Sequence, residues 1–320
     1  MAVGEHPAAH RLTDIHHGQR KKKGAGLAAC NQLAMTSNAD TDTDPARAIA
    51  QVAGAARKLQ TPCGEGTMVW RVWGAGAPLV LFHGGSGSWN HWLRAIPVLS
   101  KHYELWVPDI PGLGDSAMPP EPRTPSTIAD IAAAGLRELL PGGPKLRIAG
   151  FSFGGHVAGL TTLRLQERAS SLTLIGVAAL GLRAEPREPF AKVRTGMTAE
   201  QRAAVYRQNL AVLMFADPAN IDALAIEMQA RNIAQARFRS RPFAATDDLA
   251  RTLADVKVPL KTIWGTRDII ARPSLDARLD ILRRHHPELQ VRLIEGAGHW
   301  VMYEAAERFN AALLELLAAG

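Results

Sequence analysis

From about Met68 onward, short runs of β-branched and aromatic residues alternate with longer stretches whose apolar residues recur every three to four positions. The short runs predict strands at Met68–Trp73, Leu79–Phe82, Glu104–Val107, Leu146–Ala149, Leu172–Val177, Leu260–Trp264 and Val291–Ile294. The longer period predicts helices such as Thr127–Leu140, Phe153–Arg168 and Glu304–Leu317. Strands that alternate with helices imply βαβ units. The expected class is therefore α/β, a mostly parallel central sheet with helices on both faces. The connection Gly74–Pro78 is too short for a crossover, so the first two strands are expected to be antiparallel neighbours.

Two stretches break this rhythm. Leu182–Leu253 is long, helix-rich and without a clear strand, and a segment of that length inside an α/β domain must carry structure of its own. It is expected to form an inserted helical cap over residues 182–253; extra helices packed beside the sheet are the alternative. Residues 1–60 lack strand alternation and include the polar run Thr36–Pro45, so a loosely ordered N-terminal extension is expected there. The core is then 61–181 together with 254–320. In the extension, Arg20–Lys23 precedes Leu27-Ala28-Ala29-Cys30, which looks like a lipoprotein cleavage box. The apolar stretch between is shorter than the roughly 7–15 residues an export signal needs. Met35 is an internal candidate start, which leaves open whether residues 1–34 belong to the native protein.

Composition adds limits. Of 320 residues, 47% are hydrophobic and 21% charged, an ordinary globular balance, and no apolar run is long enough to span a membrane. Two cysteines, Cys30 and Cys63, cannot make a disulfide scaffold, and a cytoplasmic setting is expected. The net charge of +7 invites a nucleic-acid reading, but it is spread along the chain: +3 in residues 1–60 and +4 in the rest. The single dense basic run is better explained as a solvated tail. The expected partner is a small-molecule substrate, with no nucleic acid and no membrane; a homodimer is allowed. Nothing has the spacing of a metal site, and no cofactor is implied.

The chemistry lies at the ends of the predicted strands. Gly150-Phe151-Ser152-Phe153-Gly154 follows one strand and opens a helix. A serine on such a sharp turn projects its Oγ above the sheet, and glycines flank it because side chains would collide there. A serine needs a base, and the base an orienting carboxylate. Of eleven histidines, His299 alone sits in a glycine-rich loop, Gly296–Trp300, past the last strand. Asp268 directly follows the strand Leu260–Trp264; its rivals Asp247, Asp248 and Asp255 precede that strand, and Glu295 is a further one. Phe82–Gly87 supplies a glycine turn for an oxyanion, with the backbone N–H groups of Phe153 and Gly85 as donors and Ser86 as the alternative to Gly85. The turn lacks the lysine of a phosphate loop. His83 is expected to brace this loop, and His156 to be a surface or core residue.

These motifs, HGGSGS at 83–88, DIPGLGDS at 109–116, GFSFGG at 150–155, WGTRD at 264–268 and GAGHW at 296–300, come in the order found in the α/β-hydrolase fold family, which residues 65–320 resemble. The resemblance implies a structural turn at Asp109–Gly112, a cap over the site, and a serine hydrolase with a Ser152, Asp268, His299 triad. Family members that are dehalogenases or epoxide hydrolases carry aspartate where this chain has Ser152. The segments HGGSGSWN and GHW are similar to hydrolases of meta-cleavage products, which cut C–C bonds. Those carry Asn-Ser-Met-Gly-Gly where this chain has Phe-Ser-Phe-Gly-Gly at 151–155. The expected activity is hydrolysis of an ester or related acyl bond of a small apolar substrate, esterase-like. The alternatives are C–C hydrolysis and a ligand-binding, non-catalytic member. Phe151 and Trp300 are candidate substrate contacts, and Trp92 and Met302 are expected in the core. The cap arginines (Arg183, Arg187, Arg194, Arg202, Arg207, Arg231, Arg237, Arg239 and Arg241) include candidates for binding a substrate carboxylate.

Overall fold

A computed structural model describes residues 44–182, 185 and 188–319. The sheet has eight strands: β1 (Arg57–Cys63), β2 (Gly66–Trp73), β3 (Pro78–Phe82), β4 (Glu104–Pro108), β5 (Leu146–Phe151), β6 (Ala169–Ile175), β7 (Leu260–Gly265) and β8 (Gln290–Ile294). They lie in the order β1-β2-β4-β3-β5-β6-β7-β8. The pairs from β4 through β8 are parallel, and β1–β2 and β2–β4 are antiparallel. The first expected strand, β2, thus runs antiparallel to the rest, but its neighbours are β1 and β4. The strand after it, β3, lies one place further in, so the expected pairing across Gly74–Pro78 does not form. Gly74 instead turns at φ 73°, with its α-carbon packed against the carbonyls of Ser100 and Tyr103.

The helices are α1 (Pro45–Gly54), α2 (Ile96–Leu99), α3 (Pro125–Leu139), α4 (Phe153–Arg164), α5 (Ala199–Leu213), α6 (Ala223–Gln235), α7 (Asp248–Asp255), α8 (Leu275–His285), α9 (Val301–Glu304) and α10 (Ala306–Ala318). Alternation along β3 sorts them into two layers. Leu79 and Leu81 face a core shared with α1, α2 and α10, and Val80 and Phe82 face one shared with α3, α4, α7 and α8. Both faces of the sheet are covered, as parallel strands require. Trp92 and Met302 are fully buried in the first layer.

Two expected boundaries move. Residues 1–43, with Cys30 and Met35, lie outside the described residues, but residues 44–60 are ordered into α1 and the start of β1. Asp44 caps α1 by accepting from the Ala46 N–H, Pro45 opens it, and Ala48, Ile49 and Val52 are its buried stripe. A stripe of three residues in an Ala-rich run is a weak periodic signal. At the other boundary, α7 falls within the expected cap but packs on α4 and α8, burying Leu249 and Leu253 against the sheet.

One corner ties the loop after β3 to the sheet. Asp109, 1% exposed, pairs with Arg71 on β2 at 2.7 Å, and its oxygens accept from the N–H groups of Trp89 (2.8 Å) and Asp115 (3.1 Å). Without Asp109, Arg71 keeps only Asp115 as an ionic partner (2.5 Å), and the Trp89 and Asp115 N–H groups lose their acceptor. Asp109→Ala is expected to lower the unfolding free energy by about 2–5 kcal/mol, about 1–3 for each stranded donor, read from urea denaturation.

A second stability term is pH-dependent. His156 on α4 is buried, and among the described residues neither ring nitrogen has a hydrogen-bond partner. Burial pushes its pKa down to about 4. The unfolded imidazole titrates near 6.5, so between those values the unfolded chain binds more protons and stability falls as pH falls. Urea midpoints are expected to drop between pH 6.5 and 4, by up to about 3 kcal/mol from this residue. His156→Leu should flatten that part of the slope.

Candidate active site

The carboxyl ends of β5, β6 and β7 meet at one edge, the place where open α/β sheets build sites. Ser152 turns from β5 into α4 with φ 52° and ψ −120°, a conformation that L-residues rarely adopt. Backbone contact holds it there. A Cβ on Gly154 would lie 2.2 Å from the His83 carbonyl oxygen and 2.5 Å from that of Phe82, and one on Gly150 would lie 2.2 Å from the Gly154 oxygen. The Ser152 N–H donates to the Ile175 carbonyl at the end of β6 (2.8 Å).

Three of the expected residues form one hydrogen-bonded chain. Ser152 Oγ lies 3.0 Å from His299 Nε2, and His299 Nδ1 lies 2.9 Å from Asp268 Oδ2. A carboxylate only accepts, so Nδ1 carries the proton and Nε2 faces the serine hydroxyl as acceptor. The second oxygen of Asp268 accepts from the Ile270 N–H at 2.8 Å. Asp268 and His299 are each 2% exposed, which shields the pair from water. A serine so placed can lose its proton to His299 as it attacks an electrophile, with the buried carboxylate stabilising the imidazolium. The rivals stand elsewhere: Asp247 and Asp248 pair with Arg251.

The glycine turn after β3 comes up to the same point. The α-carbon of Gly85 packs against Phe153, with a notional Cβ 3.5 Å from that residue's Cβ, and Ser86 adopts φ 53°. Phe153 opens α4, where the first N–H groups have no intrahelical acceptor and favour negative charge. His83 braces the turn: its Nδ1 donates to the Gly84 carbonyl (2.8 Å) and its Nε2 accepts from the Ile110 N–H (2.9 Å). Burial pushes its pKa down, in keeping with a neutral ring in that role. Phe151 and Trp300 are both 1% exposed. The Phe151 ring packs 4.8 Å from that of His299, and Trp300 stacks on Tyr303 while its indole N–H donates to the His91 carbonyl. Core packing, rather than an open pocket face, is where the structure puts these two expected substrate contacts.

Sequence reading passed over several residues that shape the site. His91 Nδ1 accepts from the Gly84 N–H at 3.2 Å, and burial holds its pKa well below the usual histidine range. Gly176 ends β6 at φ 54°, and a Cβ there would sit 2.9 Å from Asp268 Oδ2 and 3.1 Å from His299 Nδ1. The Ser240 hydroxyl lies over Gly85, where a Cβ would meet it at 2.1 Å. Arg278 on α8, 1% exposed, lies close enough to feel the Asp268 charge and donates to the Arg272 carbonyl at 3.2 Å. Glu304 has the widest reach. Its carboxylate accepts from Gly298 N–H (2.6 Å), Ala216 N–H (3.0 Å) and Asp217 N–H (2.9 Å). It thereby ties the His299 loop to the segment after α5. In the sequence it is only the first residue of the expected helix Glu304–Leu317.

The expected cap arginines are mostly occupied. Arg202, Arg207 and Arg237 donate to backbone carbonyls, Arg231 pairs with Glu227, and Arg241 lies over the Phe190 ring. Arg183 and Arg187 lie outside the described residues. Among those residues no three His, Cys, Asp or Glu side chains gather as a metal site, and no helix is long and apolar enough to cross a membrane.

Comparison with known proteins agrees with the fold. The sequence model of the "Alpha/beta hydrolase family" matches residues 79–312. A dihydrolipoyllysine-residue acetyltransferase component of the acetoin cleaving system of Pseudomonas putida is 30% identical over 301 residues, 87% of this chain and 71% of that protein. A 2-hydroxy-6-oxo-6-phenylhexa-2,4-dienoate hydrolase of Burkholderia cepacia is 26% identical, over 77% of this chain and 90% of that one. Among solved structures, carboxylesterase CesB of Bacillus subtilis superposes with a TM-score of 0.66 at 19% identity, covering 86% of this chain and 98% of its own.

Glu304→Ala frees N–H donors on both segments and loosens the His299 loop, and a shift of about 1 Å at a reacting group costs on the order of 10²-fold in rate. The rate at which a fluorophosphonate labels Ser152, followed by intact mass, is expected to fall about 10–100-fold. Circular dichroism should remain native, and Glu304→Gln should fall between.

Proposed function

The chain belongs to the alpha/beta hydrolase family, and from that premise we propose that it is a serine hydrolase, cleaving a carboxylic ester or related acyl bond of a small, apolar molecule. The observation that carries the proposal is the Ser152–His299–Asp268 chain at a strand-to-helix turn. In this reading His299 Nε2 takes the Ser152 proton as Oγ attacks the carbonyl carbon. The tetrahedral oxyanion lies between the N–H groups of Phe153 and Gly85, at the positive end of α4; such donors contribute about 3–4 kcal/mol each. The C–O bond to the leaving group then breaks, and the leaving oxygen takes the proton from His299. Water, deprotonated by His299, attacks the acyl-enzyme and releases the acid and Ser152.

The segment from residue 182 to Asp247, with α5 and α6, acts as the cap. Support comes from Ser240, which lies on Gly85, and from the buried network in which Ser88 Oγ donates to Asn232 Oδ1 (2.8 Å) and Asn232 Nδ2 to Asn90 Oδ1 (2.9 Å). The cap closes over the glycine turn and shields it from water. A cytoplasmic setting fits the free, buried Cys63.

A second reading, hydrolysis of a C–C bond in a diketone-like acid, is favoured by the 26% identity with the phenylhexadienoate hydrolase. The same Ser152 attack on a ketone carbonyl would serve it, and that compound is the assay that separates the two.

Rapid single labelling of Ser152 by a fluorophosphonate is expected in the wild type and not in Ser152→Ala or His299→Ala. Asp268→Asn is expected to lower kcat by about 10²–10⁴ with the fold intact, since it removes the acceptor that sets the imidazole tautomer. Ester turnover by Ser152→Ala within tenfold of wild type would overturn the assignment.

A further inference from the structure

Beside His299 lies a cavity of about 150 Å³. One wall is apolar, from the end of α5 and Phe215; the other carries Arg267 and Arg272, which flank the short turn Ile269–Ala271 after Asp268. Two carboxylates of the site are already engaged. Asp268 is bound to His299 and the Ile270 N–H, and Glu304 to the backbone N–H groups of Ala216, Asp217 and Gly298. Among the described residues, neither Arg267 nor Arg272 has an ion-pair or hydrogen-bond partner for its guanidinium. Two free guanidinium groups on one wall of a concavity make a local positive field, and each presents a fork that matches a carboxylate. Their main chain is held from below, while the residues themselves are exposed. The Arg267 N–H donates to the Ala297 carbonyl (3.0 Å), and the buried Arg278 donates to the Arg272 carbonyl (3.2 Å).

We infer that Arg267 and Arg272 form a carboxylate-binding subsite on the His299 side of the reaction centre, and that the leaving portion of the substrate carries the carboxylate. The second half of the inference rests on the hydrolase reading above. His299 lines this cavity, whereas Ser152, Phe153 and Gly85 do not. The cavity meets the residue that protonates the leaving oxygen and not the residues of the elbow or the glycine turn, so a group lodged there belongs to the leaving side of the substrate rather than the acyl side. The apolar wall accommodates a short alkyl or aryl stem, and the two arginines hold its charged end. Among the described residues, Arg267 and Arg272 are unpaired cations that line a cavity together with His299.

The test uses two measurements on the full chain. In the first, kcat/KM is measured for 4-butyryloxybenzoic acid and for its neutral methyl ester, which differ only in the leaving-group charge. The wild type is expected to prefer the acid at least tenfold. In Arg267→Ala/Arg272→Ala the acid-to-ester ratio should fall at least tenfold, and in Arg267→Lys/Arg272→Lys it should be partly restored. In the second, titration calorimetry follows 4-hydroxybenzoate binding in the same proteins, a readout that needs no turnover. Binding should weaken at least tenfold in the double alanine variant. Hydrolysis of both esters with a ratio near one, unchanged by the arginine substitutions, would overturn the subsite while leaving the hydrolase reading in place. Failure to hydrolyse either ester or to label Ser152, with arginine-dependent 4-hydroxybenzoate binding retained, would overturn the hydrolase reading and the leaving-group role but keep the carboxylate site. Binding that is absent, or indifferent to both arginines, removes the site itself.

Discussion

The turn at Ser152 exists because the first residues of α4 can lie directly against the loop that follows β3. The α-carbon of Gly154 is so close to the Phe82 and His83 carbonyls that no side chain fits between them. That contact brings two backbone segments, distant in sequence, to one point above the sheet. It also stores a strained serine, and strain of order 1–3 kcal/mol persists only where surrounding packing over-determines it. The packing here is explicit: β5 between β3 and β6, the His83 and His91 hydrogen bonds on the glycine turn, and the Ser152 N–H held by β6.

Electrostatics at this edge follow from burial. The nearby histidines other than His299, His83 and His91, are buried and pushed toward the neutral form, so each serves as a hydrogen-bond acceptor for a backbone N–H. Carboxylates are treated the opposite way. Asp109, Asp268 and Glu304 each accept several N–H bonds or pair with a cation, which is how a buried negative charge is tolerated. The cations at the mouth, Arg267 and Arg272, are left to the solvent side and to whatever anion enters.

The segment between β6 and α7 is joined to the core at several separate places. Glu304 and the Trp300 N–H, which donates to the Met214 carbonyl, hold its middle; Asn232 holds α6 to the Ser88 turn; and Arg94, Asp222 and Tyr303 link its second helix to α9. Two of these joints run through residues adjacent to His299. A movement of this segment is therefore transmitted to the imidazole loop by hydrogen bonds rather than by loose packing.

Local features of the chain carried much of this molecule. Alternation and period marked seven of the eight strands, and the glycines around Ser152 and His299 marked the turns, because turn geometry depends on a few consecutive residues. The edge strand β1 and helix α1 escaped notice, since Arg57–Cys63 carries charge on an exposed edge and α1 has only a three-residue apolar stripe. Strand order was not readable either. That β2 pairs with β4 rather than β3 depends on how the antiparallel hairpin packs against the parallel strands, not on the length of its loop. Likewise nothing near Glu304, His91 or Gly176 in sequence announces their contacts, and nothing near Arg267 and Arg272 says that they lack partners. Those relations join residues far apart along the chain, Ala216 and Glu304 across 88 positions and His91 and Trp300 across 209, and only the folded chain decides them.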